Sequence, residues 1–236
     1  MSLWLLVSHL LSHSVIPTPV DVWAAFQSAA ADGYLMRDMV ATLRRVLVAF
    51  SLALLCGTTF GALLGVSTWF ARIFDFWLTL AATTPSLLYV VTIYLWLGLN
   101  DAAAVVGGAA VVTPTVIYNV WQGMRSIDAS LSEMARAFRV PRWRIVQQVL
   151  LPQTLPFLMA AARLSLALTW KIMIFIELLG RPAGVGYRIQ FWYQLFNMPR
   201  VLASALPFLL LMLFVDLVLL QSVDRYLFRW RKEEAR

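Results

Sequence analysis

The sequence contains a single cysteine, Cys56, so it cannot form an internal disulfide. Its two histidines, His9 and His13, lie near the N-terminus without a cluster of further metal ligands. The chain also lacks a P-loop of the form G-x-x-x-x-G-K-S/T, a zinc signature, a nucleophile elbow and a pair of catalytic aspartates. We therefore predict that this chain has no catalytic residue and no metal site and that it binds no cofactor.

Charged residues are scarce. They make up 13% of the 236 residues, whereas hydrophobic residues make up 61%. Soluble domains are typically about 25% charged. The composition therefore predicts a polytopic membrane protein, whose net charge of +7 reflects topology and does not indicate nucleic-acid binding.

Apolar runs predict five membrane spans, because each is long enough to cross a hydrocarbon core of about 30 Å. The predicted spans are 46–70, 76–98, 102–121, 155–176 and 201–223. Arg72 and Asp75 predict a short loop after the first span. The apolar run 3–11 is too short to cross alone, and it is either a shortened span or an interfacial segment. The more polar segment 20–36 is predicted to be a short helix and loop outside the membrane.

Gly57, Gly61 and Gly65 are four residues apart in the first span. They form a small-residue ridge, which lets a second helix approach closely. We predict that these three glycines pack against another helix.

Polar residues within other spans are candidates for a translocation pathway. Thr84, Pro85 and Ser86 predict either a packing kink or a kinked helix that lines a pathway. Lys171 and Glu177 are costly in a membrane and should face protein or water. Six residues separate them, which is a poor spacing for an intrahelical pair, so each is expected to pair across helices or a dimer seam.

The segment 125–153 is the longest basic interruption of the apolar sequence. Its arginines favour the cytoplasmic side. Ser130-x-x-Glu133 predicts a capping box that opens a helix, and a turn is expected near Pro141. A second helix is then predicted to end before Pro152, with an apolar stripe of Trp143, Val146, Val149 and Leu150. Such a segment either lies on the inner leaflet or docks a partner.

Part of this segment resembles the EAA loop of the membrane subunits of binding-protein-dependent ABC importers. The matching residues are Glu133-Met134-Ala135, Val149 and Leu151-Pro152, while Arg139 replaces the usual glycine. If that glycine serves a positive-φ turn, either the turn is built differently or Arg139 accepts the strain. The resemblance implies ATPase-coupling roles for Glu133, Met134, Ala135, Ala137, Phe138, Arg139, Arg142, Val149, Leu151 and Pro152.

Most of the chain is similar to the nitrate/sulfonate/taurine-type permeases of this family. The similar pieces, in order, are 17–23, 42–46, the glycine-spaced span, 95–99, 162–164, Glu177, 184–186 and the tail around Trp230. The second span departs most, because Pro85 stands where relatives tend to have paired prolines.

This resemblance implies an all-α type I importer fold, with five core spans and a possible short N-terminal segment. The chain would be one permease domain, 1–236, with a coupling loop at 125–153 and a basic tail at 224–236. It would lie in the bacterial inner membrane and work with a second copy of itself, two cytoplasmic ATPase subunits that bind ATP and Mg, and an external substrate-binding protein. The alternatives are a different small solute, such as a thiamine precursor or an aromatic compound, or a non-transporting membrane scaffold or enzyme.

Overall fold

The computed structural model describes residues 17–220, which are almost entirely helical and contain no β-strand. Two π-helical turns, Val146–Leu150 and Val215–Leu220, continue the helices that precede them. The α-helices in chain order are α1 (Pro19–Ala31), α2 (Tyr34–Val66), α3 (Thr68–Thr83), α4 (Ser86–Leu97), α5 (Asp101–Arg125), α6 (Ala129–Ala137), α7 (Arg142–Ile145), α8 (Leu151–Gly180), α9 (Val185–Gln194) and α10 (Met198–Phe214).

Within residues 17–220, four helical segments are long and apolar enough to cross a bilayer, and the bent pair of α3 and α4 makes a fifth when the two helices are counted as one broken span. This result confirms the prediction of an all-α polytopic fold with five core spans. The four unbroken segments are Tyr34–Val66, Asp101–Arg125, Arg142–Gly180 and Met198–Val218. The predicted segment 3–11, the end of the last predicted span and the tail 224–236 with Trp230 lie outside the described residues.

The first span begins earlier than the apolar pattern predicts. Helix α2 covers Tyr34–Val66, whereas the predicted span was 46–70. The additional N-terminal turns contain Asp38, Thr42 and Arg45, all of which are buried. The hydropathy pattern places these polar residues outside the predicted span. They nevertheless lie in the packed helix because they are paired within the protein.

The chain then breaks at Ser67, and the loop predicted at Arg72 and Asp75 is wrong because both lie inside α3. The backbone of Ser67 is extended, with φ −121° and ψ 110°, and its hydroxyl accepts a hydrogen bond from the Phe70 N–H. A serine N-cap starts a helix, whereas a charged pair does not prevent one.

Pro85 divides the predicted second span, 76–98, into two helices. Thr84 has an extended backbone, with φ −66° and ψ 129°, as is usual before proline. Helices α3 and α4 meet there at 94°. The Thr84 hydroxyl donates to the Leu80 carbonyl at 2.7 Å, so a side chain occupies an acceptor near the end of α3.

The described residues divide into two compact units. One comprises the residues up to Val48, Thr92–Gly107 and the residues from Trp170 onward. Within it α1 packs along α10, and the rings of Trp170 and Phe208 meet edge to face at 5.3 Å. The other comprises Ala49–Val91 and Gly108–Thr169.

In the second unit, α2 and α5 approach closely at the three glycines of the predicted ridge. A Cβ added at Gly57 would lie 2.5 Å from Val116 Cβ, and one at Gly61 would lie 2.8 Å from the Ile117 carbonyl oxygen. A Cβ added at Gly65 would overlap the Met124 side chain. The structure therefore places all three glycines against α5, where no side chain fits without displacing the neighbouring helix.

We expect Gly61→Leu to separate α2 from α5, because its side chain would meet backbone rather than a movable side chain. The matched control is Thr59→Leu, since Thr59 is exposed on the same helix and bonds only to the carbonyls of Leu55 and Cys56. Thermal unfolding of the detergent-purified chain, followed by size-exclusion chromatography, should show loss of the folded peak for Gly61→Leu alone. Equal stability of the two variants would contradict the close crossing.

Candidate functional site

Helix α6 opens the segment 125–153, which the sequence predicts to be a coupling loop. Its N-cap is Asp128, whose carboxylate accepts a hydrogen bond from the Ser130 N–H at 2.9 Å. The predicted capping box of Ser130 and Glu133 is therefore wrong, because Ser130 already lies in the first turn of a helix that begins at Ala129. Hydrogen bonds from Ser130 hold the pKa of Asp128 below its usual value.

Helix α6 ends in a Schellman motif with an arginine at the left-handed position. Arg139 has φ +54°. Its N–H donates to the Arg136 carbonyl at 2.9 Å, and the Val140 N–H donates to the Ala135 carbonyl at 3.0 Å. Glycine is the usual residue here, and a side chain costs about 1–2 kcal/mol. The sequence left open whether the turn is built differently or Arg139 accepts the strain. The structure shows the second alternative, because the turn has the geometry that a glycine would adopt and Arg139 occupies its left-handed position.

The helix that follows this turn does not end before Pro152, contrary to the prediction. α7, the π turn and α8 form one helical segment, Arg142–Gly180. The Leu151 N–H bonds to the carbonyl of Val146, five residues earlier. Proline cannot donate a backbone hydrogen bond, and the wide turn directly before it accommodates that loss. The loop is consequently continuous with a membrane span.

The buried face of this second helix also differs from the predicted stripe. Trp143 and Val146 are exposed, and Val149 and Leu150 are half-buried, whereas Ile145 is only 6% exposed. The predicted stripe assumes a constant helical period, and the π turn breaks that period between residues 146 and 150.

Helix α6 presents an apolar face to solvent. Leu131, Met134 and Phe138 are 41%, 54% and 77% exposed. Their spacing of three and four residues puts them on one side of the helix. Such a face outside the spans is typical of a protein-docking surface. Of the other residues predicted to couple, Ala135 is buried, Val149 and Pro152 are half-buried, and the exposed ones are Glu133, Ala137, Arg139, Arg142 and Leu151.

A second candidate site lies in the first unit, around the fully buried carboxylate of Glu177. Arg45 Nη1 donates to Glu177 Oε1 at 2.6 Å, and the Thr42 hydroxyl lies 2.8–2.9 Å from both carboxylate oxygens. The Gly186 N–H donates to Oε2 at 2.9 Å. A buried charge is tolerated when it is paired and hydrogen-bonded in this way.

Asp101, at the start of α5, joins Arg45 to two further arginines. Arg45 Nε donates to Asp101 Oδ1 at 2.9 Å, while Arg44 and Arg181 pair with the same carboxylate at 2.8 and 2.7 Å. Arg181 also donates to the Leu99 carbonyl at 2.9 Å. The charges of the first unit therefore form a network rather than separate pairs.

Asp38 extends the set of buried polar contacts to α9. Its carboxylate accepts from the Gly184 N–H at 3.1 Å and from Arg188 Nε at 2.7 Å. The Arg188 guanidinium also lies 4.4 Å from the centre of the Tyr34 ring. One end of α2 and the start of α9 are thus joined by charge, by hydrogen bonding and by a cation–π contact.

The chain at 183–186 passes directly over the Glu177 carboxylate, and two glycines make this possible. Gly184 has φ +119°, and a Cβ added there would overlap the carboxylate. A Cβ at Gly186 would lie 2.8 Å from Glu177 Cβ and would overlap the Ile174 carbonyl oxygen. The Gly-Val-Gly sequence is therefore required by the closeness of this contact.

Sequence reasoning singled out Thr42, Arg45, Glu177 and the Gly-Val-Gly piece, but as separate matches and not as one cluster. It missed the roles of Asp38, Asp101 and Arg188. The available signal was the placement of isolated charges at the ends of apolar runs, since such charges usually need partners within the protein.

The other residues predicted to line a pathway lie elsewhere. Thr84 is half-buried and Pro85 and Ser86 are exposed, all in the second unit, while Lys171 is exposed in the first. Among residues 17–220, no ion pair joins Lys171 to Glu177. Glu177 pairs across helices instead, which is one of the arrangements that its spacing left open.

We expect Gly184→Ala to disrupt the cluster. The change adds backbone strain of about 1–3 kcal/mol and displaces a buried carboxylate whose ion pair is worth about 3–5 kcal/mol when broken. The matched control is Gly33→Ala, because Gly33 also has positive φ, +71°, but open space around it. Thermal unfolding of the purified chain should show a much larger loss for Gly184→Ala. Similar losses in the two variants would mean that strain alone matters.

Three curated permeases resemble this chain along most of their length. The putative aliphatic sulfonates transport permease SsuC of Escherichia coli is 28% identical, over 98% of this chain and 88% of that protein. The taurine transport system permease TauC of the same organism is 23% identical, over 99% and 87%. The nitrate import permease NrtB of Synechococcus elongatus is 24% identical, over 80% and 71%.

Solved structures show the same fold. An inward-facing MetNI methionine ABC transporter superposes with a TM-score of 0.69 at 21% identity, covering 82% of this chain and 96% of that one. An amino acid ABC transporter gives 0.68 at 16% identity, covering 85% and 97%. The chain therefore has the transmembrane fold of type I ABC importers.

The family described as the inner membrane component of binding-protein-dependent transport systems matches residues 57–227. This match covers most of the chain. The chain is accordingly a multi-pass permease subunit of the bacterial inner membrane that serves the import of a small solute. It is not an enzyme, because separate ATPase subunits hydrolyse ATP in these systems. The chain belongs to the family of inner membrane components of binding-protein-dependent transport systems.

Proposed function

We propose that two copies of this chain form the translocation pathway, each acting as one permease domain with a coupling loop at 125–153. Two cytoplasmic ATPase subunits, which bind the ATP and Mg, would drive the pair, and an external binding protein would deliver the solute. The observation that carries this proposal is the exposed apolar face of Leu131, Met134 and Phe138. Residues 17–220 contain one such face outside the spans, so we infer that two ATPases need two chains.

The arginines of the loop support a cytoplasmic position for α6. Arg136 and Arg139 precede the helical segment Arg142–Gly180, and Arg142 and Arg144 lie in its first turn; basic residues near the end of a span determine its orientation. With the loop inside, the Gly180 end of this one helical segment would lie on the external side.

The apolar face enters a cleft of the ATPase, and Glu133 supplies a polar contact beside it. Closure of the ATPases around ATP displaces α6. Because Arg142–Gly180 is one helical segment, the displacement passes through Arg142, Val149, Leu151 and Pro152 into a membrane span. The spans then rock between outward and inward openings.

We propose a small anion of the sulfonate or nitrate type as the solute. The support is the set of relatives named for aliphatic sulfonates, taurine and nitrate, solutes that share an anionic oxygen-bearing group. Lys171 is exposed within a helix that crosses the membrane, and its ammonium group would compensate that charge.

The remaining pathway residues are proposed to act in two ways. Thr84, Pro85 and Ser86, at the 94° break, would line the route with hydroxyl groups and irregular backbone. Glu177 would shape the route indirectly as a positioning residue, because both carboxylate oxygens already accept hydrogen bonds within the protein.

We expect Phe138→Ser to weaken ATPase association about tenfold or more, as is usual for an aromatic anchor at an interface. The matched control is Phe196→Ser, because Phe196 is also exposed, at 82%, but follows α9 and lies outside the segment 125–153. Co-purification of the ATPase and solute-stimulated ATP hydrolysis in liposomes are the measurements. Ala135 is unsuitable as a test position, since it is buried and its substitution would disturb the loop itself.

If Phe138→Ser and the control bind the ATPase equally well, α6 is not the docking element. A chain that inserts normally but neither binds an ATPase nor moves solute would instead be a membrane scaffold.

We expect Lys171→Gln to lower uptake of anionic solutes while ATPase association stays at the wild-type level, and Lys171→Arg to restore uptake. The measurement is uptake of labelled taurine, an alkanesulfonate and nitrate by liposomes that contain the permease, the ATPase and the binding protein. Transport of a thiamine precursor or a neutral aromatic compound, but of none of these anions, would refute the proposed solute class.

A further inference from the structure

One side of α8 is uncovered from Leu164 to Leu179, a length of about 22 Å. Leu164, Phe175 and Leu179 are 48%, 53% and 52% exposed, and Lys171 is exposed between them. At about 100° per residue, these four positions fall within roughly 80° of one another around the helix. The residues on the opposite side are buried. These four residues and the half-buried Leu168 form the lysine face.

The lysine face carries one charge among apolar side chains. Lys171 has no ion-pair partner within residues 17–220. Glu177, the next charged residue along α8, lies on the buried side and is paired with Arg45. A charge within a membrane-spanning helix usually faces protein or water and not lipid. We therefore expect this face to meet protein or water, where its cation still needs a counter-charge.

A second copy of the chain is the protein that fits this face. Two copies with the same orientation in a bilayer are related by a two-fold axis along the membrane normal, which places equivalent residues at the same depth. A helix face at that axis therefore meets its own counterpart. The positions 164, 168, 171, 175 and 179 are three or four residues apart, a spacing typical of a seam between two helices. In such a seam Lys171 lies opposite Lys171 of the second copy.

Two opposed lysines require an anion between them. Their ammonium groups repel each other when they converge without a counter-charge. Each has three hydrogen-bond donors and no acceptor, so the pair can bind two oxygens of one small oxyanion but cannot bind each other. Leu168 and Phe175 lie one turn to either side of Lys171, and apolar neighbours strengthen such electrostatic contacts by lowering the local dielectric constant.

We propose that Lys171 of both copies converges on one small anion, so that this site is complete only when the two lysine faces meet. The inference rests on the two-copy pathway proposed above. It adds that α8 forms the seam between the copies and that one anion is held by two lysines. A single chain supplies only one of the two ammonium groups.

The first test is a charge reversal. Lys171→Glu and the wild type, carrying different affinity tags, are co-expressed in equal amounts and extracted as full chains into neutral detergent. Because opposite charges then meet in the seam, the ratio of mixed to like dimers should exceed one to one by roughly threefold or more. Two differently tagged wild-type copies give the one-to-one reference.

Arg37→Glu is the matched control, because Arg37 is an exposed cation of α2 without an ion pair in the described part of the chain. It should mix with the wild type one to one. One-to-one mixing of Lys171→Glu would overturn the proposal but leave the two-copy pathway intact, since dimers would still form. Absence of dimers from the wild type itself would contradict the two-copy pathway, and the proposal with it.

A second measurement tests the anion itself and keeps the proposal testable if Lys171→Glu does not insert. Phe175→Cys is introduced together with Cys56→Ser, which removes the single native thiol. A short bismaleimide then joins the thiols of two facing copies in liposomes. Ethanesulfonate should raise the rate of cross-linking severalfold, because it relieves the repulsion between the lysines.

Sodium chloride at the same concentration and the uncharged ethyl methyl sulfone are the control solutes, and neither should raise the rate. Adding Lys171→Gln should abolish the effect of ethanesulfonate, because no repulsion then remains to be relieved. A cross-linking rate that ethanesulfonate leaves unchanged, or raises equally with and without Lys171, would overturn the proposal.

Discussion

A carboxylate buried in a membrane-spanning segment has to be neutralised where it lies, and Glu177 imposes that requirement on its surroundings. The Arg45 guanidinium and the Thr42 hydroxyl come from α2, and the Gly186 N–H comes from the chain that returns over α8. Removing one partner of such a buried pair costs about 3–5 kcal/mol, which is a large share of the stability of a domain. The glycines at 184 and 186, the early start of α2 and the pairing of Asp101 all follow from this one charge.

The loop at 125–153 uses polar groups in the opposite way. In the cluster, charges are paired so that helices stay together; in the loop, arginines and apolar residues are left exposed. Its own geometry is nevertheless fixed, by the Asp128 cap at one end and by the Schellman motif at Arg139 at the other. Asp128 N–H also donates to Gln153 Oε1 at 2.9 Å, which ties the first turn of the loop to the start of α8. A surface that is exposed but locally rigid loses little conformational entropy when a partner binds.

Much of this architecture could be predicted from the sequence, because hydropathy reports which residues a lipid phase tolerates. The five spans and the basic loop followed from that property. Boundaries set by specific hydrogen bonds did not: Ser67 and Asp128 cap helices where periodicity favoured other residues. The contacts of Glu177 could not be predicted from the sequence, for a different reason. They join residues up to 135 positions apart, and no local pattern encodes which distant charges meet.

The π turn at Val146–Leu150 determines how the loop is rotated about the helix axis relative to the membrane span. One extra residue in a helical turn rotates everything beyond it by roughly 100° about the helix axis. The residues before and after the turn therefore do not share one helical register. The extra residue of the turn determines the direction in which α6 lies around the axis of α8.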